Sequence, residues 1–115
     1  MSKILLAEDD HTMVSLLQTL LKMEGFEVVT ADVDSDVPAL AIQENPDVLL
    51  MDVHLGPHSG IEIVEAIRKY DALASLRIVF ISSDVFVHLF GNHGVVANNN
   101  EHRWLAEQIT PFLTP

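Results

Sequence analysis

The chain has 115 residues and carries 17 Asp and Glu against 6 Lys and Arg, which gives a formal net charge of −11. Its hydrophobic fraction of 49% supplies enough apolar side chains for one core and excludes a disordered acidic tail. The acidic charge argues against nucleic acid and anionic membranes as partners. The absence of cysteine excludes disulfides, thiolate zinc sites and cysteine nucleophiles. Because it shows neither a bilayer-spanning apolar run nor a signal peptide, we expect one cytoplasmic domain.

The first quarter of the chain predicts a strand, a helix and a second strand. Residues 3–7 consist of a lysine followed by four apolar residues, which is typical of a buried strand. Over residues 11–24 the apolar side chains recur at helical spacing, with Asp10 available as the N-cap and Gly25 as the terminator. Residues 26–31 predict the second strand.

The middle of the chain repeats this order. A second helix is expected to begin at Asp34 or Ser35, which can cap it, and to end at Asn45 before a proline. Residues 47–51 predict a third strand that is apolar on both faces. Ser59 and Glu62 have the spacing of a capping box, which predicts a third helix from Gly60 to about residue 70.

The last third predicts a fourth strand at residues 77–81, a fifth at residues 94–97 and a final helix at residues 101–113. Only ten residues lie from 83 to 92, so the fourth helix is expected to be short or irregular. Strands that alternate with helices predict a parallel sheet covered on both faces, which is a doubly wound α/β fold.

Acidic and hydroxyl side chains follow three of the predicted strands. Glu8, Asp9 and Asp10 follow the first strand, Asp52 follows the third and Ser82 follows the fourth. In open parallel sheets, ligands bind beyond the carboxyl ends of the strands. Carboxylates that converge there repel one another unless a cation lies among them, and Mg²⁺ prefers such oxygen ligands. A carboxylate beside that ion can attack phosphorus, so the pattern predicts a site for phosphoryl transfer.

These motifs resemble the receiver domain of bacterial two-component response regulators. The resemblance rests on residues 3–10, 46–52, 60–62 and 78–82. It implies a five-stranded, flavodoxin-like sheet in the order 2-1-3-4-5. With the short length of the chain, we expect a single receiver domain over residues 1–115 without an output domain in this chain, and the resemblance implies a signalling role rather than an enzymatic one.

The resemblance implies a role for each residue of the predicted site. Asp52 would accept a phosphoryl group from a histidine kinase or a phosphotransfer protein. Asp9 and Asp10 would be the acidic pair that binds Mg²⁺ together with Asp52 and the backbone carbonyl of His54, with Asp10 in direct contact and Asp9 acting mainly through water. Ser82 matches the family's switch hydroxyl.

The last third departs from the family pattern. Asn98 stands where the family has a lysine, and Val95 stands where it has a switch aromatic residue. This region ordinarily carries the signal to a downstream target protein. Two functions therefore remain open: a receiver that accepts phosphate in a Mg²⁺-dependent phosphorelay, and a pseudo-receiver that binds proteins independently of phosphorylation. A homodimer through exposed aromatic residues of this region is a further alternative.

Overall fold

The computed structural model describes residues 2–81 and 93–94. The five strands of the main sheet are β1 Lys3–Ala7, β2 Glu27–Ala31, β3 Val48–Asp52, β4 Arg77–Ile81 and β5 His93–Gly94. The described helices are α1 His11–Met23, α2 Val37–Glu44 and α3 Gly60–Ile67, and a 3-10 turn follows at Asp71–Leu73. His54–Leu55 and His58–Ser59 pair as a small antiparallel hairpin between β3 and α3.

The main sheet is parallel throughout and has the order β2-β1-β3-β4-β5, so the predicted doubly wound topology is confirmed. Leu5 pairs with Leu49 across β1 and β3, and Leu50 pairs with Val79 across β3 and β4. This register aligns the carboxyl ends of the three central strands at one edge of the sheet.

The central strands are apolar on both faces because each face is covered. Successive side chains of a strand point to opposite faces, so each strand contributes to two clusters. One cluster packs the sheet against α2 and α3, and contains Leu5, Leu49 and Ile78. The other packs it against α1, and contains Leu6, Leu50 and Val79. The continuous apolar runs of the sequence are therefore explained by a sheet that is buried on both sides.

Helix α1 begins and ends where the sequence predicts. The Asp10 carboxylate accepts hydrogen bonds from the backbone N–H groups of Thr12 and Met13, at 2.9 and 3.1 Å. Gly25 follows the helix with a φ of +94°, in the left-handed region that glycine adopts most readily.

Helix α2 begins later than predicted, because Asp34 and Ser35 are engaged in the turn that precedes it. The Asp32 carboxylate accepts from the Asp34 N–H and from the Ser35 hydroxyl. The N-cap is instead Asp36, whose carboxylate accepts from the Ala39 N–H at 3.1 Å. The predicted end at Asn45 is confirmed, and Asn45 has a φ of +48°.

Helix α3 begins at Gly60 behind the Ser59 cap, as predicted, but ends at Ile67 rather than near residue 70. Arg68 donates from Nη1 to the carbonyls of Leu73 and Ala74, which ties the end of the helix to the 3-10 turn. These hydrogen bonds of the Arg68 side chain stabilise the end of α3 at Ile67.

Three predicted elements lie outside the described residues: the short fourth helix, the 95–97 part of the fifth strand and the last helix at 101–113. Within the described part of the chain, no helix has the length and apolar character needed to cross a membrane.

Candidate functional site

Three carboxylates meet at the carboxyl edge of the sheet. Glu8 and Asp9 follow β1, and Asp52 is the last residue of the neighbouring β3. One oxygen from each of these three side chains lies within 4.8 Å of the other two. We call Glu8, Asp9 and Asp52 the acidic cluster. Glu8 is 4% exposed and forms its floor, Asp52 is half-buried, and Asp9 is exposed at its rim.

Backbone hydrogen bonds hold the two strand ends in place. The Glu8 N–H donates to the Ala31 carbonyl of β2 at 3.3 Å, which extends the β1–β2 pairing by one residue. On the other side, Asp52 pairs with Ile81 of β4, and the Val53 N–H donates to the Ile81 carbonyl at 3.1 Å. The floor of the acidic cluster is therefore fixed by the sheet rather than by a loop.

Glu8 has an environment that favours its protonated form. Burial raises its pKa to about 8, and the negative charge of Asp52 adds to the increase. An oxygen of each of the two carboxyl groups lies within 4.8 Å of the other. Glu8 Oε1 also accepts from the N–H groups of Asp9 and Asp10, each at 3.2 Å. We therefore expect the metal-free protein to hold a proton on Glu8 at neutral pH.

Asp52 has a raised pKa for the same main reason, which is burial. The His54 N–H, which donates to Asp52 Oδ1 at 3.1 Å, and the hydrogen bond from Glu8 oppose this increase. The charge of Asp9 adds to it. The His54 N–H thus fixes the orientation of the Asp52 carboxylate, while burial and the charge of Asp9 together make its ionisation less favourable.

The chemistry of the acidic cluster fits a hard divalent cation. All of its donor atoms are carboxylate oxygens, which Mg²⁺ prefers over nitrogen or sulfur ligands. The raised pKa values of Glu8 and Asp52 reflect burial together with charge repulsion, and a cation among the three groups would relieve the repulsion. Because Asp9 is exposed, water can reach the acidic cluster at its rim.

The chain matches the family model of the response regulator receiver domain over residues 4–90. The chain belongs to this family. The match includes β1 to β4 and the whole acidic cluster, so the resemblance inferred from the sequence motifs is confirmed.

Known proteins similar to this receiver domain include response regulators. The transcriptional regulatory protein CpxR of Escherichia coli (strain K12) is 41% identical over 69 residues, which are 60% of this chain and 29% of the relative. The CpxR homolog of Haemophilus influenzae is 36% identical over 86 residues, which are 74% of this chain and 37% of the relative. The chain thus spans about a third of the length of the curated relatives it matches.

A solved structure resembles this receiver domain over nearly its whole length. The N-terminal domain of the nisin resistance regulator NsrR superposes with a TM-score of 0.79 at 27% identity, and the match covers 98% of each chain. This similarity supports the doubly wound fold of the receiver domain.

The structure brings together two of the four predicted metal ligands, Asp9 and Asp52. Asp10 lies outside the acidic cluster, because its exposed carboxylate caps α1, and its predicted direct contact with the metal stays a prediction. Glu8, to which the sequence analysis gave no role of its own, takes the place beside Asp52. The signal that could have indicated Glu8 is its position directly after a fully buried strand, where burial continues for one more residue. The carbonyl contact predicted for His54 stays a prediction.

Ser82 and Asn98 lie outside the described residues, and so does Val95. Their predicted roles as switch hydroxyl, lysine replacement and switch-aromatic replacement stay predictions.

Gly60, the first residue of α3, packs closely against the backbone of Asp52. A Cβ at this position would collide with the backbone carbonyl oxygen of Asp52 and lie 3.1 Å from Met51 Cγ. The Gly60 N–H donates to the Val53 carbonyl at 2.7 Å. The start of α3 can therefore approach the end of β3 this closely only because residue 60 has no side chain.

We expect Gly60→Ala to lower the free energy of unfolding by about 2–3 kcal/mol, because the obstacle is rigid backbone. Urea unfolding would measure the loss. Glu65→Ala, at an exposed position of the same helix, should stay within about 0.5 kcal/mol of the wild type. Equal stability of Gly60→Ala and the wild type would contradict the close approach.

Proposed function

We propose that this receiver domain accepts a phosphoryl group on Asp52 from a histidine kinase or a phosphotransfer protein, in a Mg²⁺-dependent two-component phosphorelay in the cytoplasm. The observation that carries the proposal is the acidic cluster, which lies at the carboxyl edge of the sheet within the residues that match the family. The domain then acts as a phosphate acceptor in signalling.

Each member of the acidic cluster has a distinct part in the proposed reaction. Asp9 and Asp52 would supply carboxylate oxygens to the metal, Glu8 would add a third negative charge from the buried side of the acidic cluster, and the His54 carbonyl would provide a neutral ligand. The His54 N–H holds the Asp52 carboxylate in one orientation. Mg²⁺, when bound there, would reduce the charge repulsion between the Asp52 carboxylate and the incoming phosphoryl group.

The transfer exchanges one bond for another. An oxygen of the Asp52 carboxylate forms a bond to phosphorus, and the bond between phosphorus and the imidazole nitrogen of the donor breaks. The bonding electron pair returns to the imidazole. The Ser82 hydroxyl would then donate a hydrogen bond to a phosphoryl oxygen, and Asn98 would offer an uncharged amide where the family has a lysine. Because charge-assisted hydrogen bonds are roughly twice as strong as neutral ones, this replacement would weaken the contact with the phosphoryl group.

The proposal is tested by incubation with acetyl phosphate and MgCl₂, followed by intact mass measurement. We expect the mass to increase by that of one phosphoryl group in the wild type, and not at all in Asp52→Asn. Asp71→Asn changes an exposed aspartate that is not part of the acidic cluster. It serves as the matched control and should be phosphorylated like the wild type. An adduct that persists in Asp52→Asn would contradict the proposed acceptor.

The partners that we propose are those of the receiver domain, not those of a longer protein. The CpxR relatives are named as transcriptional regulators, and this chain spans about a third of their length. With a net charge of −11, the receiver domain itself is unsuited to nucleic acid, and we propose protein partners for it.

The second candidate, a pseudo-receiver that binds proteins independently of phosphorylation, is favoured by the last third of the sequence. Asn98 and Val95 replace two residues of the family pattern, and the family match ends at residue 90. For this function we expect Asp52→Asn and the wild type to bind the same protein partner with the same affinity. A marked difference between them would exclude the pseudo-receiver.

A further inference from the structure

The tip of the hairpin that follows β3 packs beside the acidic cluster. Leu55 and His58 form the last pair of the hairpin, and Gly56 begins its turn with a φ of +60°. A Cβ on Gly56 would lie 2.5 Å from Val33 Cγ1 and 3.3 Å from Val33 Cβ. The same Cβ would lie 3.9 Å from Asp9 Oδ2. The tip of the hairpin therefore occupies a space, between Val33 and the rim of the acidic cluster, that has no room for a side chain on residue 56.

Val33 has little freedom to move away from this contact. It is partly buried against the core cluster that contains Leu55. Its side chain is β-branched, so two of the three substituent positions on Cβ carry methyl groups, and a rotation tends to replace one methyl by the other. The Val33 Cβ is fixed by the backbone, and no rotation of the side chain would relieve its 3.3 Å approach.

The base of the same hairpin is bonded to the acidic cluster. His54 pairs with Ser59 across the hairpin, and its N–H donates to Asp52 Oδ1 at 3.1 Å. The Gly60 N–H donates to the Val53 carbonyl at 2.7 Å, which closes the base. One end of the hairpin thus rests on Val33, and the other end orients the Asp52 carboxylate.

We propose that Gly56 is a positioning residue for the Mg²⁺ site, acting through the hairpin on Asp52. The absence of a side chain lets the hairpin tip close against Val33, and this closure keeps the His54 N–H aligned with Asp52 Oδ1. A side chain on residue 56 displaces the tip, and because the hairpin is short and hydrogen-bonded, the displacement reaches its base. The proposal rests on the proposed function, in which Asp9 and Asp52 bind the metal.

The test compares four variants: Gly56→Ala, Val33→Ala, the double variant Gly56→Ala/Val33→Ala, and Gly25→Ala. Gly25 is the matched control, since it also has a positive φ but a Cβ there would meet no atom within 4 Å. Two quantities are measured by NMR on each folded variant: the His54 amide proton shift without metal, and the Mg²⁺ affinity from a titration with MgCl₂.

For Gly56→Ala we expect an upfield shift of the His54 amide proton, because its hydrogen bond to Asp52 is weakened, and Mg²⁺ binding about tenfold weaker. Gly25→Ala should lose stability through backbone strain but keep both quantities. The double variant should recover most of the Mg²⁺ affinity of Val33→Ala, because the methyl group at 2.5 Å is gone and only the 3.3 Å approach of the residue 33 Cβ and the strain of the positive φ remain. A Gly56→Ala that fails to fold while the double variant folds would support the same collision.

Wild-type values of both quantities in Gly56→Ala would overturn the proposal. So would a defect that persists in the double variant, or a failure of both Gly56 variants to fold, since Val33 would then not be the cause. If the wild type takes up no Mg²⁺, the proposed function fails; the His54 amide shift without metal still decides separately whether Gly56 positions the hairpin.

Discussion

Asp9→Asn is expected to weaken Mg²⁺ binding by about 100-fold or more and to slow phosphoryl uptake on Asp52 in parallel. Asp9 is the exposed member of the acidic cluster, so it contributes charge to the metal without the burial that keeps a proton on Glu8. The amide of asparagine can replace the oxygen but not the charge. Calorimetric titration with MgCl₂ and the initial rate of phosphorylation by acetyl phosphate would measure both effects.

Asp10→Asn is the matched control, because it removes the same charge one residue further along. Asparagine is as good an N-cap as aspartate, so α1 keeps its start. We expect the Mg²⁺ affinity to change by no more than about threefold, through the loss of a nearby but screened charge. A larger loss in Asp10→Asn than in Asp9→Asn would identify Asp10 as the direct ligand and contradict the acidic cluster as the metal site.

The sheet could be predicted from the sequence because its strands are buried on both faces. Residues 4–7, 48–51 and 78–81 are uninterrupted apolar runs, and a parallel sheet with helices on both sides buries all of them. The order of the strands came from the family resemblance, since apolar runs alone do not specify which strands are neighbours.

The helix ends were predictable only where one residue could serve as a cap. Asp10 is followed directly by helical periodicity, and the structure confirms its capping role. Before α2, three consecutive residues can cap, and the choice of Asp36 depends on the bonds that Asp32 makes to the other two. At the end of α3 no glycine or proline marks the stop, and the side chain of Arg68 bonds to carbonyls beyond the helix.

The site was predicted as a region more reliably than as a set of residues. Asp9 and Asp52 were identified from the strand ends that they follow, and the structure brings them together. Three acids in a row follow β1, and periodicity does not decide which of them points inward once the strand has ended. The sheet continues through the Glu8 N–H, which buries Glu8, and the next helix begins after Asp10, which leaves Asp10 as a cap.

Glu8 should also make the stability of the metal-free protein fall as the pH rises. Its pKa in the folded protein is about 8, against an ordinary value of 4.5, so the folded state binds a proton that the unfolded state has released. Between these two values stability decreases with increasing pH. The contribution is fully present below about pH 4.5 and is lost as the pH rises through about 8, and it is on the order of 2–4 kcal/mol. Urea unfolding in EDTA across this range would measure it.

Added Mg²⁺ should oppose this loss of stability at high pH, because the metal binds the ionised carboxylates and must displace the proton of Glu8. We therefore expect MgCl₂ to raise the Tm more at about pH 9 than at about pH 6. Glu8→Gln keeps a hydrogen-bond donor toward Asp52 but cannot ionise, so it should flatten the pH profile of the metal-free protein. Glu65→Gln, at an exposed position of α3, should leave that profile unchanged. A wild-type profile in Glu8→Gln would show that Glu8 does not hold the proton, and the raised pKa of Asp52 would then have to account for the pH dependence.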